Sequence, residues 1–151
     1  MKKLLITMFL LFSINVFAQE NFEVPIKVKA LNIETRLVFG SNSAATDSFD
    51  NQFDVPYFGG GSLTAYFEGD AGILFKDIRN VIDKTTWTFR VENKTNSDNI
   101  IVLWNPEKLP SNYSFLLLDT ITNATIDMKT VSFYKIPNTV IRYLDIEVKK
   151  N

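Results

Sequence analysis

The stretch "FEVPIKVKA", Phe22 to Ala30, alternates apolar and charged side chains with a period of two. The apolar residues that share one face of an extended chain are Phe22, Val24, Ile26 and Val28. The charged residues on the other face are Glu23, Lys27 and Lys29. This alternation predicts a β-strand with one buried face and one face in water.

The same signal recurs along the chain. Eight further segments have the alternation or composition of strands: IETRLVF, LTAYF, TTWTFRVE, IIVLW, YSFLLLD, ATIDM, TVSFYKI and VIRYLDIEV. Clusters such as "ENKTNSDN" and "NPEKLPSN" separate them and are rich in the residues that favour tight turns. No window of 12 or more residues has a convincing helical pattern, and "FKDIRNVID" is the one segment compatible with a short turn of helix.

About nine short strands at regular spacing predict an all-β fold, an immunoglobulin-like Greek-key β-sandwich. Trp87 and Trp104 lie in phase with the apolar positions of their strands. Both tryptophans are therefore predicted to point into the core, because the apolar face of a strand is normally the buried one.

The N-terminal segment has the pattern of a secretory signal peptide over residues 1–18. Lys2 and Lys3 precede an apolar run from Leu4 to Phe17, which is shorter than the ~20 residues that span a bilayer. Residues 19–151 are predicted to form a single β-sandwich domain without a transmembrane segment. The protein is expected to be exported, to the periplasm, the cell surface or the medium.

Composition narrows the classes of function. The chain contains neither cysteine nor histidine, so a Ser-His-Asp triad, a Cys-His pair or a histidine zinc site cannot be built from it. Its net charge is −1, and loss of Lys2 and Lys3 with the signal peptide makes it about −3. That balance predicts no nucleic-acid partner. The chain is predicted not to be an enzyme.

A long irregular segment from Gly40 to Ser62 includes "ATDSFDNQFDVP" and three aspartates, Asp47, Asp50 and Asp54. Carboxylates in a flexible loop are calcium ligands, so these three are candidate metal ligands and Ca²⁺ is the one candidate cofactor. The D-x2-D-x3-D spacing differs from an EF-hand, however. The alternative, which the spacing favours, is that each aspartate caps a turn through nearby backbone.

A third interpretation of the same three carboxylates is a catalytic cluster, but the sequence does not favour it. A glycosidase needs two carboxyl groups facing each other across a cleft, and a single loop on a small domain offers little cleft. Tyr57 and Phe58 are the candidate ligand-binding residues instead, because they adjoin the run Gly59-Gly60-Gly61 in a loop at the predicted end of the sandwich.

Two ordered motifs resemble a known family. "LVFGSNSAATDSFDNQFDVP" and "IIVLWNPEKLP", with "TWTFRVEN" between them, resemble the β-sandwich accessory module of secreted proteins from Bacteroidetes-type bacteria, often found before a type IX secretion sorting domain. The matching positions are Phe39, Gly40, Ala45, Thr46, Asp47, Phe49, Asp50, Phe53, Asp54, Trp87, Leu103, Trp104, Pro106, Leu109, Pro110, Asp127 and Met128. Ser48 stands where the family pattern has glycine. The resemblance implies an exported sandwich and no catalytic residue.

The sequence therefore predicts a secreted, non-catalytic module with a structural, adhesive or protein-binding role. The alternative is a calcium-stabilised carbohydrate-binding module that uses the 41–62 loop. The expected partner is an unidentified protein or polysaccharide at the cell surface.

Overall fold

The computed structural model describes residues 21–70, 72–95, 97–137 and 140–151, so the predicted signal peptide lies outside the described residues. These residues form eleven β-strands, one 3₁₀ turn at Pro106–Lys108 and no α-helix. The strands are β1 Phe22–Ala30, β2 Ile33–Ser41, β3 Val55–Pro56, β4 Leu63–Gly69, β5 Gly72–Arg79, β6 Lys84–Asn93, β7 Ile100–Leu103, β8 Tyr113–Asp119, β9 Ala124–Asp127, β10 Phe133–Ile136 and β11 Ile141–Lys150. In this part of the chain no helix has the length and apolarity to cross a membrane. The predicted all-β class is confirmed.

Each of the nine predicted strands is present, and β3 and β5 are additional. No helical turn forms in "FKDIRNVID", because most of that segment belongs to β5. β5 pairs in parallel with β2 and antiparallel with β4, and its burial does not alternate. Its sequence therefore lacks the period of two. β3 has two residues and is too short to produce a period.

All eleven strands belong to one sheet in the order β10-β7-β1-β2-β5-β4-β6-β11-β8-β9, with β3 paired to β5. The sheet curls into a near-barrel, so that its early strands face its late strands across a common core. The ring of Phe115 in β8 lies 5.6 Å from that of Phe22 in β1 and 6.3 Å from that of Phe39 in β2.

The inward positions of the long strands are apolar. Both tryptophans are buried, as predicted, with Trp87 at 0 % exposure and Trp104 at 6 %. Each indole N–H has a partner, as buried donors require: Trp87 Nε1 donates to the carbonyl of Asp77 at 3.1 Å and Trp104 Nε1 to that of Met128 at 2.8 Å.

A buried carboxylate joins strands near the two edges of the sheet. Asp119 ends β8 on its inward face and has no solvent exposure. Its Oδ2 accepts the Tyr134 hydroxyl of β10 at 2.8 Å, and its Oδ1 accepts Arg142 Nη1 of β11 at 3.2 Å. The N–H groups of Ile121 and Thr122 also donate to Oδ1, at 3.0 and 3.2 Å. Backbone pairing does not join the β10 edge of the sheet to its β9 edge, and we name the gap between these edges the seam. The Asp119 carboxylate bridges the seam.

The pKa of Asp119 follows from these contacts. Burial alone would raise it, but the hydrogen bonds from Tyr134, Ile121 and Thr122, together with the charge of Arg142, hold the pKa below its ordinary value. The folded state thus favours the ionised carboxylate despite its burial.

Removing this carboxylate should open the seam. Asp119→Ala leaves the guanidinium of Arg142 buried without its counter-charge, so we expect the free energy of unfolding to fall by about 3–5 kcal/mol in urea titrations. Asp145→Ala is the matched control on β11, since Asp145 is half-buried and accepts a hydrogen bond from Thr88. Equal losses in the two variants would contradict the assigned role.

The same group predicts a pH dependence. Because its folded pKa is depressed, Asp119 contributes stability that is present above the unfolded pKa of about 4 and is lost as the pH falls through the lower folded pKa. The stability difference between the wild type and Asp119→Asn should therefore shrink below about pH 4. A difference that is constant from pH 7 to pH 2 would contradict this expectation.

Candidate functional site

The segment from 42 to 62 is held to the sheet at its middle. β3 pairs with β5 through Val55 opposite Lys76 and Pro56 opposite Leu74, with a register shift between the two pairs. The N–H of Tyr57 then donates to the carbonyl of Ile73 at 3.0 Å. The aspartate-rich part and the glycine-rich part of the loop thus lie on either side of a fixed point.

Two of the three candidate metal-ligating aspartates, Asp50 and Asp54, accept hydrogen bonds from backbone N–H groups. Asp50 Oδ2 accepts the N–H of Thr46 at 2.6 Å and its hydroxyl at 3.0 Å. Asp54 Oδ2 accepts the N–H of Asp50 at 2.7 Å, while Asp54 Oδ1 accepts the N–H of Ile78 in β5 at 2.8 Å. Asp54 is 6 % exposed. These bonds cap successive turns and connect the loop to the sheet.

Burial raises the pKa of Asp54 above its ordinary value, although the N–H groups of Ile78 and Asp50 act in the opposite direction. The nearby charge of Asp77 adds to the increase. A raised carboxyl pKa stabilises the fold when the group is protonated, and that contribution is lost as the pH rises through the folded pKa.

The third aspartate lies apart. Asp47 is exposed and lines a polar cavity of about 370 Å³ whose other charged residues are Glu68, Asp70, Arg79 and Lys84. Among the described residues, no group of three or more acidic side chains is arranged to hold a metal ion. The structure brings Asp50 and Asp54 together and leaves Asp47 in a different environment. Calcium binding by the three aspartates stays a prediction.

The two candidate ligand-binding aromatics differ in exposure. Phe58 is 90 % exposed at the start of the glycine run. Tyr57 is half-buried, with its ring centroid 5.2 Å from that of Tyr66 in β4. Gly59 permits this arrangement, because a Cβ there would approach the Tyr57 ring to 2.6 Å. The loop thus turns one ring onto the sheet and the other into solvent.

The sheet face beneath Tyr57 carries a row of side chains that sequence reasoning missed. Tyr66, Arg90 and Tyr143 are register partners in β4, β6 and β11. The Tyr66 hydroxyl donates to Glu92 at 2.9 Å, Arg90 pairs with Glu92 at 2.8 Å, and the Arg90 guanidinium lies 5.7 Å from the Tyr143 ring. We name these four residues, together with Tyr57, the tyrosine–arginine row. The alternation within each strand indicates that these side chains share the face opposite the core. The sequence does not indicate the register that aligns them across β4, β6 and β11.

Burial and the hydrogen bond to Glu92 raise the pKa of Tyr66 to about 12. The hydroxyl therefore stays a donor at physiological pH. Tyr66 is only 9 % exposed, so the aromatic surface of the row is that of the half-buried Tyr57 and Tyr143. Aromatic surface beside fixed hydrogen-bonding groups is the chemistry used to hold a sugar or a polar peptide.

No protein-family model, curated protein or solved structure matches this chain. Its function is inferred from the loop and from the surfaces of the sheet.

The turn-capping interpretation can be tested by amide substitution. Asp54→Asn has one acceptor oxygen for two N–H donors, so we expect the free energy of unfolding to fall by about 1–3 kcal/mol in urea. Asp47→Asn is the matched control and should change it by less than about 0.5 kcal/mol, since Asp47 is exposed. Comparable losses in both variants would contradict the interpretation.

Calcium binding predicts a different result. A cation that binds the folded state alone would raise the thermal midpoint of the wild type by several degrees in millimolar calcium relative to EDTA. It would not raise that of Asp47→Asn/Asp50→Asn. Because backbone donors already occupy Asp50 and Asp54, we expect no shift in either protein. A shift confined to the wild type would establish the metal site.

Proposed function

We propose that this protein is an exported, non-catalytic binding module, built as an immunoglobulin-like β-sandwich, with an adhesive or protein-binding role. Facing strands with rings packed between them support the sandwich, and the N-terminal sequence supports export. The resemblance to the accessory module of secreted Bacteroidetes-type proteins is part of the same proposal. The observation that carries the role is the exposure of Phe58.

Phe58 has the properties of a contact residue at an interface. It is 90 % exposed, yet the loop that presents it is fixed to β5 by Asp54 and by the N–H of Tyr57. Burial of a phenylalanine side chain is worth about 1.5–3 kcal/mol, and aromatic residues dominate the binding energy of many interfaces. A large ring held in water on a fixed support favours binding over a purely architectural role.

Two of the buried carboxylates also favour a binding module. Asp54 and Asp119 both accept backbone N–H groups and connect separate parts of the chain. A catalytic acid or base must instead reach a substrate proton.

A second candidate is a carbohydrate-binding module that uses the 41–62 loop, with calcium stabilising it. The tyrosine–arginine row favours this candidate, because Tyr57 packs against Tyr66 at a tilt of 42°, and the Tyr66 hydroxyl bonds to the charged pair Arg90–Glu92. Aromatic surface with adjacent polar groups suits a pyranose ring.

The proposed role predicts the effect of Phe58→Ala. With the fluorescently labelled chain from Gln19, we expect binding to intact cells of the producing organism to weaken about tenfold or more, because a central aromatic contact is lost. Ile82→Ala is the matched control, since Ile82 is 68 % exposed outside the loop. Thermal midpoints of both variants should equal that of the wild type. Equal cell binding by all three proteins would refute a contact role for Phe58.

The two candidates separate in a pull-down with insoluble cellulose, xylan and chitin in millimolar calcium. A carbohydrate-binding module would be retained on one of these polymers, and Phe58→Ala would abolish the retention without unfolding the protein. An adhesive or protein-binding module would remain in the supernatant, which is the result we expect.

A further inference from the structure

The outer face of the β10-β7-β1-β2 part of the sheet is cationic. Register places Phe133, Leu103, Lys27 and Arg36 in one outward row and Lys135, Ile101, Lys29 and Glu34 in the next. Lys108, in the 3₁₀ turn after β7, adds a further amine beside them. We name the five cations Lys27, Lys29, Arg36, Lys108 and Lys135 the lysine face.

Two carboxylates accompany these five cations: Glu107 adjoins Lys108 in the 3₁₀ turn, and Glu34 lies among the cations of β1 and β2. Glu34 contacts Arg36 at 2.7 Å, Lys29 at 3.0 Å and Lys27 at 3.9 Å. Hydrogen bonds from Arg36 and Lys29 are the main reason that the pKa of Glu34 is lowered to about 2. In the described part of the chain, Lys108 and Lys135 form no ion pair. The face thus holds a positive excess on a protein whose net charge is negative.

A groove on the same face has an apolar floor. A cavity of about 320 Å³ is lined by Pro25, Leu103 and Trp104, and its polar lining residues are Lys27, Lys29, Asn105 and Lys108. Phe133 is the register partner of Leu103 and is 57 % exposed, so it extends the apolar surface toward β10. A ligand with a flat apolar surface and a negatively charged edge complements this arrangement.

We propose that the lysine face binds an acidic polysaccharide, with the sugar rings on the apolar surface of Pro25, Leu103 and Phe133 and the carboxylate or sulfate groups at the lysine amines. A uronate or sulfated sugar combines the C–H surface of a ring with an anion on the same unit. Lys27 and Lys29 point the same way about 7 Å apart along the strand, and Lys135 lies about 10 Å from Lys29 across two strand spacings. Cations separated by these distances can contact successive charged units of a polyanion.

The choice of cation favours a polysaccharide over an acidic protein. Four of the five cations are lysines, which act as flexible point charges and do not impose the fixed bidentate geometry of arginine. Lysine is also depleted at protein–protein interfaces, whereas arginine is enriched there. Lys27 and Lys29 retain 44 % and 47 % side-chain exposure, so their amines are accessible to a chain that passes over the sheet. This surface uses none of the residues assigned to the Phe58 loop.

The test is titration of the chain from Gln19 with sodium alginate, dextran sulfate and neutral dextran at 20 and 300 mM salt. Calorimetry reports the binding. We expect binding to alginate or dextran sulfate that weakens with salt, and none to dextran. Alginate and dextran sulfate distinguish a carboxylate from a sulfate ligand.

The triple variant Lys27→Gln/Lys29→Gln/Lys108→Gln should bind about tenfold more weakly. The control Lys84→Gln/Lys94→Gln/Lys149→Gln removes the same net charge elsewhere and should bind within about twofold of the wild type. Lys108→Gln alone tests the site if the triple variant melts early. Failure of the wild type to bind either polyanion, or equal losses in both triple variants, would overturn the proposal. Tighter binding of poly-glutamate or duplex DNA than of the glycans would do so as well.

Discussion

Asp119 is fully buried, and the architecture depends on how its charge is compensated. A sheet whose path begins at β10 and ends at β9 has two edges, and a curled sheet without closure would leave core side chains open to water. Tyr134 and Arg142 donate to the same carboxylate from β10 and β11, while its own turn supplies two N–H groups. Trp104 adds a second bridge through the carbonyl of Met128, just after β9. The seam is thus closed by side chains, and it depends on an ionised group whose removal leaves a buried cation behind.

The parallel pairing of β2 with β5 has a comparable consequence for the long loop. Every other pair in the sheet is antiparallel, so this one requires a crossover, which the chain between β2 and β5 supplies. Asp54 binds the crossover to β5 through the N–H of Ile78, and β3 pairs with the same strand. The exposed ring of Phe58 is therefore carried by a supported segment. Asp54, a candidate metal ligand by its sequence context, thus holds the crossover against β5 in the folded protein.

Register distributes chemistry over the outside of the sheet. On β4, β6 and β11 it aligns Tyr66, Arg90 and Tyr143, and the loop lays Tyr57 over them. On β10, β7, β1 and β2 it aligns lysines beside apolar residues. Most outward residues of a strand have fewer packing constraints than inward ones, so they can be chosen for contact with a partner. This domain consequently presents surfaces of different chemistry on different strands.

The sequence by itself determined the class of the fold, nine of its strands and the burial of both tryptophans, because a period of two is a local property that survives in any β context. It also determined that histidine and cysteine chemistry is absent. Tertiary structure alone decided the rest. β5 became a strand because the adjacent strand β4 and the distant strand β2 both pair with its backbone. Asp47 separated from Asp50 and Asp54 because the last two found N–H donors on the loop and on β5. The closure at Asp119 and both outward rows depend on register between strands far apart in the chain, and no local pattern specifies that register.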